Sequence, residues 1–271
     1  IIALGLANEL TATEMLAMYI DRGQEIFPPA KDNWLGWLKK QKDSIYSQFL
    51  YRYNDESLSQ LLNDVFGNRL LRESNNRLCI PSFEGKFSEV YIFKTPHHPD
   101  YQLDATEKLT TVARATSAAP TLFRSLDTGD YTFVDGGIWC NNPIMIGVVD
   151  AMTCYNVLPE RIRILSIGCG DSPYYVHDKI HMAGGKWHWR EVIFAAMHLQ
   201  SQNALGQAGL LIEPENLLRV SPPTQDVPIK LDDWQRASTE LPKAAEISYR
   251  QYCELLRENF FKFSKKNPIF Y

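Results

Sequence analysis

Apolar and polar positions along the chain predict a succession of amphipathic helices and short strands. Thr11 and Glu14 have the spacing of a capping box, so a helix is expected to begin there and to end near Phe27, before a pair of prolines. Asn142 and Pro143 have the order of a helix start. We expect helices over 11–27, 57–66, 105–117, 142–155, 189–211 and 241–263, and strands over 78–83, 89–94, 131–134, 161–167 and 217–220.

This order of elements predicts an α/β fold. Helices and strands alternate throughout the second half, which indicates a mostly parallel central sheet covered by helices on both faces. Because no internal stretch has the composition of a linker, residues 1–271 are interpreted as a single domain. The stretch 31–76 is rich in aromatic residues and mixed in charge, and we interpret it as an insertion or cap on that domain.

The first residues indicate that the sequence begins within an element. Ile1–Ala7 is apolar and typical of a helix interior, yet neither a capping residue nor a methionine precedes it. We therefore expect that a segment N-terminal to Ile1 belongs to the same domain.

The composition narrows the classes of function. Among 271 residues, 45% are hydrophobic and 22% are charged, which is typical of a globular domain. A net charge of −4 argues against binding to a nucleic acid polymer. Five cysteines without a CxxC pair favour reduced thiols in the cytoplasm over disulfides or a zinc site, and we expect neither a metal nor a cofactor. No apolar run approaches the ~20 residues of a membrane span, so a lipid substrate would be reached from the aqueous side.

Asp135, Gly136 and Gly137 follow the predicted strand 131–134 directly. The carboxyl end of a strand is where α/β sheets place groups that face ligands, and the two glycines leave room for an ester or a partner hydroxyl. Asp-Gly-Gly is also a common turn sequence. The neighbouring segments favour a site: Ala-Thr-Ser-Ala-Ala-Pro-Thr-Leu-Phe over 115–123, Asn-Asn-Pro over 141–143, Leu-Ser-Ile-Gly-Cys-Gly over 165–170, Gln-Ser at 200–201 and Leu-Arg-Val-Ser-Pro-Pro over 218–223.

In this order and spacing, these segments resemble the patatin family of lipid acyl hydrolases. The resemblance covers positions 1–12 and most of 78–250, and it implies a three-layer α/β/α fold. It also implies that Asp135 of the Asp135-Gly136-Gly137 motif is the proton acceptor of a Ser–Asp dyad. In the family, the serine lies in a Gly-x-Ser-x-Gly elbow followed by an apolar helix similar to Ile1–Ala7, and a glycine-rich oxyanion loop lies further upstream. Neither motif occurs in this sequence, so both are expected N-terminal to Ile1.

The same resemblance implies a phospholipase that cleaves membrane glycerophospholipid esters through an acyl-enzyme, in the cytoplasm and at the bilayer surface. The chain is particularly similar to bacterial members linked to antiviral defence, which implies activation by a cyclic dinucleotide. The stretch 31–76 is the expected regulatory surface. Two alternatives stay open: a soluble acyl-ester hydrolase or thioesterase, and a ligand-binding protein with a patatin fold that has lost catalysis.

Other candidate residues carry weaker signals. His97 with His98, and His177 with His181, have no acidic partner, elbow or third ligand at a suitable spacing, so a catalytic triad or metal site is not favoured. Ser117 lacks the glycine surround of an exposed nucleophile and is expected to pack or to cap. An acyl channel, a bilayer contact or an ordinary helix core would each explain the apolar residues Trp187, Trp189, Phe194, Met197 and Leu199.

Overall fold

A computed structural model of the chain describes residues 1–28, 51–170, 192–223, 229–262 and 270–271. The chain divides into two compact units. The first comprises Ile1–Gly136, Lys230–Ser238 and Asn267–Tyr271, and the second comprises Gly137–Ile229 and Thr239–Lys266. Within the described residues, no helix combines the length and the apolar character that crossing a bilayer requires.

The first unit contains four α-helices and four strands among its described residues. The capping box predicted for the second helix is present, because the Thr11 hydroxyl accepts the Glu14 N–H at 3.2 Å and the Glu14 carboxylate accepts the Thr11 N–H at 2.8 Å. The helices are α1 (Ile2–Ala7), α2 (Ala12–Ile26), α3 (Asp55–Phe66) and α4 (Leu109–Thr116), and the strands are β1 (Cys79–Glu84), β2 (Glu89–Lys94), β3 (Leu126–Asp127) and β4 (Thr132–Asp135).

The strands of the first unit form a sheet in the order β2-β1-β4-β3, and each neighbouring pair is antiparallel. Four residues, 85–88, separate β1 from β2, and so short a connection can only join antiparallel strands. Along β1, Ile80, Ser82 and Glu84 are buried while the residues between them are partly exposed. This alternation places one face of the sheet against the core.

The core of the first unit joins the helices to the sheet. Helix α3 buries one apolar stripe, and α4 buries a second stripe against β1 and β4. The strands contribute mainly aromatic and branched side chains. The buried residues include Leu4, Leu58, Leu61, Leu62, Phe66, Leu71, Ile80, Phe93, Leu109, Val112, Phe123 and Phe133.

The second unit pairs its two described strands in parallel. Strand β5 (Ile164–Ile167) pairs with β6 (Leu217–Val220), and the long connection between them includes helix α7 (Val192–Leu211). A crossover of this kind is what a parallel pair requires. The other helices are α5 (Gly137–Cys140), α6 (Ile144–Cys154) and the part of α8 (Trp234–Leu256) from Thr239 onward. The core is formed by Ile144, Ala204 and Ala208 and by Val148, Ile162 and Ile212.

The α/β class is confirmed, but the prediction of a mostly parallel central sheet is wrong for the described residues. The four-stranded sheet is antiparallel, and only β5 and β6 form a parallel pair among the described strands. Alternation of helices and strands predicts parallel pairing correctly for β5 and β6, which helix α7 separates along the chain. It fails for β1, β2, β3 and β4 because hairpin turns and non-sequential neighbours determine their directions.

The prediction for the last helix differs most from the structure in its bounds. The last helix begins at Trp234 rather than near Leu241, because Pro242 lies inside the helix and does not mark its first turn. Residues 31–50 of the predicted insertion 31–76 lie outside the described residues, so the insertion stays a prediction. The described remainder of that stretch contains α3, whose apolar side chains are part of the main core.

Candidate active site

Asp135 is the last residue of β4, the strand that lies between β1 and β3 in the sheet. In the antiparallel register it lies opposite Ser82, and its side chain is half-buried. The main-chain N–H of Asp135 donates to the carbonyl oxygen of Ala118 at 3.1 Å. The carboxylate is therefore attached to a main chain that is held both by the sheet and by the segment that follows α4.

Gly136 lies so close to β1 that no other residue type fits. A Cβ atom added to Gly136 would be 2.3 Å from the Pro81 carbonyl oxygen and 2.8 Å from the Ser82 nitrogen. Both are main-chain atoms, so no side-chain rotation could relieve the contact. The first glycine of the motif is thus required by the approach of two backbones, independently of any need of a substrate. Gly137 is the first residue of α5.

The segment over 113–118 supports Asp135 from the helical side. Ala113, Ala115 and Ala118 are almost completely buried, and their small side chains let the end of α4 approach the sheet closely. The Thr116 hydroxyl donates to the Pro81 carbonyl oxygen at 2.7 Å. The residues that carry the sequence resemblance therefore form a support that joins α4 to β1 and, through Ala118, to Asp135.

Two serines near Asp135 have structural contacts. Ser82 is fully buried, and its hydroxyl donates to the Val134 carbonyl oxygen at 2.8 Å. Ser117 lies just after α4, and its hydroxyl donates to the Ala113 carbonyl oxygen at 2.5 Å. The bond of Ser117 is local to its own helix, in agreement with the packing role that the sequence predicts. Ser82 was not singled out by sequence, although its position on the buried face of an alternating strand is a usable signal.

Glu84 is buried at the end of β1 and accepts three main-chain N–H groups. The donors are Thr132 at 2.9 Å, Phe87 at 2.7 Å and Lys86 at 3.1 Å. Burial raises the pKa of this carboxyl, but the three donors outweigh burial and hold its pKa below the ordinary value. The ionised Glu84 thus ties the β1–β2 turn to the start of β4, the strand that ends in Asp135.

The main-chain nitrogen of Ile1 interacts electrostatically with the Asp135 carboxylate. Ile1 itself packs against the core of the first unit, next to α1. Ile1 and the candidate carboxylate consequently belong to the same unit, although most of that unit's sequence separates them.

The Asn-Asn-Pro segment has a capping role in the second unit. The Asn142 side chain accepts the Ile144 N–H at 3.2 Å, at the start of α6. The Asn142 main-chain N–H donates to the Gln200 side chain at 3.1 Å, and its amide group donates to the Ser201 carbonyl oxygen at 3.4 Å. Two segments that resemble the patatin family, 141–143 and 200–201, therefore contact each other.

The described histidine pair has local contacts. His97 is buried, with its Nδ1 atom 2.7 Å from the Thr95 hydroxyl and its ring edge-on to Tyr101. His98 accepts the Asp100 N–H at 3.3 Å. His177, His181, Trp187 and Trp189 lie outside the described residues. Of the apolar residues considered for a channel or bilayer contact, Phe194 and Leu199 are exposed on α7 and Met197 is half-buried.

Comparison with known proteins identifies the family. A family profile described as patatin-like phospholipase matches residues 1–148, which is more than half of the chain. A protein of Pseudomonas aeruginosa named cGAMP-activated phospholipase is 30% identical over 199 residues, which cover 71% of this chain and 56% of the relative. Proteins of the same name from Escherichia coli and Vibrio cholerae are each 32% identical, over 64% and 62% of this chain and 49% of each relative.

The chain therefore spans about half the length of the curated relatives that it matches. The profile includes Asp135-Gly136-Gly137 and both supports of Asp135, the end of α4 and strand β1. The predicted resemblance is confirmed, and the chain belongs to the patatin-like phospholipase family.

Proposed function

We propose that the full-length protein is a lipid acyl hydrolase in which Asp135 is the base of a Ser–Asp dyad. The observation that carries this proposal is the way Asp135 is held: its amide is bonded to Ala118, and the glycine after it is pressed against β1. A half-buried carboxylate on a rigid main chain suits a group that must meet a hydroxyl repeatedly in one geometry. The three-layer α/β/α arrangement and a single domain over 1–271 belong to the same proposal.

The proposed nucleophile is a serine in a Gly-x-Ser-x-Gly elbow that precedes Ile1 by a few residues. Support comes from the patatin-like phospholipase profile, whose match over residues 1–148 includes both the apolar helix α1 and the Asp135-Gly136-Gly137 motif. An apolar helix follows at Ile2–Ala7, as it follows the elbow in the family. A glycine-rich loop further upstream would supply the N–H donors of the oxyanion hole.

The proposed reaction has two stages. In the first, the serine oxygen attacks the ester carbonyl carbon while Asp135 accepts the hydroxyl proton, and the lysolipid alkoxide leaves with that proton. In the second, a water molecule attacks the acyl-enzyme, Asp135 accepts the water proton, and the proton returns to the serine oxygen as the fatty acid leaves. Asp135 ends each cycle ionised and ready for the next turnover. The proposed steps involve only the serine, Asp135, the ester and water, without a cofactor.

The proposed substrate is a membrane glycerophospholipid, reached from the cytoplasm at the bilayer surface. The proposed activator is a cyclic dinucleotide, as part of antiviral defence. Three bacterial relatives named cGAMP-activated phospholipase support the substrate class and the activator together.

The test is fatty-acid release by the full-length protein from phospholipid vesicles, measured with and without cGAMP. A water-soluble short-chain ester is offered in parallel under the same conditions. We expect release from vesicles that increases strongly when cGAMP is added. Hydrolysis of the soluble ester alone would favour the esterase alternative, and the absence of hydrolysis from both substrates would favour a binding protein.

A further inference from the structure

Arg114 is a buried cation on the support of Asp135. Arg114 is only 3% exposed, and it lies on α4 four positions before Ala118. Its Nη2 atom donates to the Arg124 carbonyl oxygen at 2.7 Å and forms an ion pair with the Asp55 carboxylate at 3.1 Å. Among the described residues, its Nε and Nη1 atoms have no hydrogen-bond partner. The free-energy cost of burying the Arg114 guanidinium is therefore offset mainly by the two contacts of its Nη2 atom.

The bond from Arg114 to Arg124 closes a loop over residues 117–124. Inside this loop, Thr121 has a φ of 69°, which is a strained conformation for a β-branched residue. The outer side of the loop is bonded by main-chain groups: Arg52 N–H donates to the Thr121 carbonyl oxygen and Tyr53 N–H to the Leu122 carbonyl oxygen, both at 3.0 Å. The strained loop is thus held at Arg124 by the Arg114 side chain, and at Thr121 and Leu122 by the main chain of residues 52–53.

The partner carboxylate of Arg114 keeps its charge. Burial raises the pKa of Asp55, but the hydrogen bond from Arg114, a backbone hydrogen bond and the charges of Arg114 and Arg124 together outweigh burial and hold the pKa below its ordinary value. Asp55 is the first residue of α3, so the pair also joins α3 to α4. The Arg114 head group therefore connects three elements of the first unit: α3, α4 and the loop 117–124.

The loop that Arg114 closes is the one that supports the candidate base. Ala118, near its start, accepts the Asp135 N–H, and Phe123, near its end, lies under the Arg114 guanidinium at 5.9 Å from the ring centre. We propose that Arg114 is a positioning residue that holds the loop 117–124, and through the Ala118 carbonyl the main chain of Asp135, in the catalytic arrangement. This inference rests on the proposed function of Asp135, and it assigns to Arg114 no contact with the substrate.

The test compares Arg114→Met and Arg114→Lys with the parent in the full-length protein. Arg114→Met removes both Nη2 contacts, and we expect kcat for phospholipid to fall about 10- to 100-fold while KM changes less than about twofold. We also expect faster hydrogen exchange at the Asp135 amide, because its acceptor is no longer held. Arg114→Lys retains the charge and one donor group, so kcat and amide protection should lie between those of the parent and Arg114→Met.

Arg72→Met is the matched control, because Arg72 is an exposed arginine of the same unit that lies outside the loop 117–124 and its supports. This variant should keep the parent kcat. Folded Arg114→Met protein with the parent kcat and Asp135 amide protection would overturn the inference. If Arg114→Met does not fold, Arg114→Lys decides: a clear loss of kcat supports the inference, and parent values of kcat and protection overturn it.

Asp135→Asn, measured alongside, separates this inference from the proposed function. Phospholipid hydrolysis by Asp135→Asn at the parent rate would refute the proposed base. An inactive Asp135→Asn together with fully active Arg114 variants would refute only the positioning role.

Discussion

At the scale of single residues, polar side chains around Asp135 are bonded mainly to main-chain groups. Ser82 and Thr116 donate to carbonyl oxygens of β4 and β1, and Glu84 accepts three N–H groups. Such bonds satisfy buried polar atoms and also fix the paths of the strands. Of these residues, Glu84 is ionised and buried, and its contribution to stability should therefore depend on pH.

Replacement of Glu84 with Gln tests this dependence. Because the folded-state pKa of Glu84 is lowered, its contribution is fully present above the unfolded value of about 4.5 and is lost as pH falls through the folded value. We expect Glu84→Gln to be less stable than the parent by a constant amount between about pH 5 and pH 7, and the difference to shrink at lower pH. Urea unfolding at several pH values measures it.

Asp130→Asn, an exposed position in the connection between β3 and β4, is the control for the Glu84 measurement. Its stability should follow the parent curve at each pH. A difference between Glu84→Gln and the parent that stays constant down to pH 3 would show that the ionised carboxylate contributes nothing specific.

At the scale of elements, the site depends on the close approach of α4 and β4 to β1. Buried alanines permit the approach of the helix, and Gly136 permits that of the turn after β4. Gly136→Ala would place a Cβ atom against main-chain atoms of β1, which cannot move without disturbing the sheet. We expect a loss of about 1–3 kcal/mol in the free energy of unfolding, measured by denaturant titration.

Gly147→Ala provides the matched control for Gly136→Ala. Gly147 is exposed and is the fourth residue of α6, and an added Cβ atom would meet nothing within 4 Å. Since alanine is the better helix former, this variant should gain about 0.5–1 kcal/mol. If Gly136→Ala were as stable as the parent, the main chains of β1 and the turn after β4 could move apart without cost, which would contradict this explanation.

The elements themselves follow largely from local sequence, whereas their pairing does not. The capping box at Thr11 and Glu14 and the glycine after α3 are local signals, and both mark real helix ends. The antiparallel order β2-β1-β4-β3 depends on contacts between distant strands, which periodicity does not encode. The requirement for glycine at position 136 is also non-local, because the atoms that exclude a side chain belong to Pro81, more than fifty residues earlier.

At the scale of the whole molecule, the patatin-like segments divide between the two units. Residues up to Gly136 hold the candidate base, and the Asn142 cap with its partners on α7 lies in the second unit. The motif set made the family predictable from sequence, since its order and spacing extend over both units. The role of Arg114 was not predictable, because its partners Asp55 and the Arg124 carbonyl come from distant or irregular positions.

The most direct test of the central claim is the rate of fatty-acid release by Asp135→Asn in the full-length protein. Phospholipid vesicles with cGAMP serve as the assay, and thermal unfolding establishes that the variant is folded. Asparagine retains the shape of the side chain but cannot accept the serine proton, so we predict a fall in kcat of about 10³- to 10⁴-fold with little change in Tm. Turnover by folded Asp135→Asn near that of the parent would contradict the account.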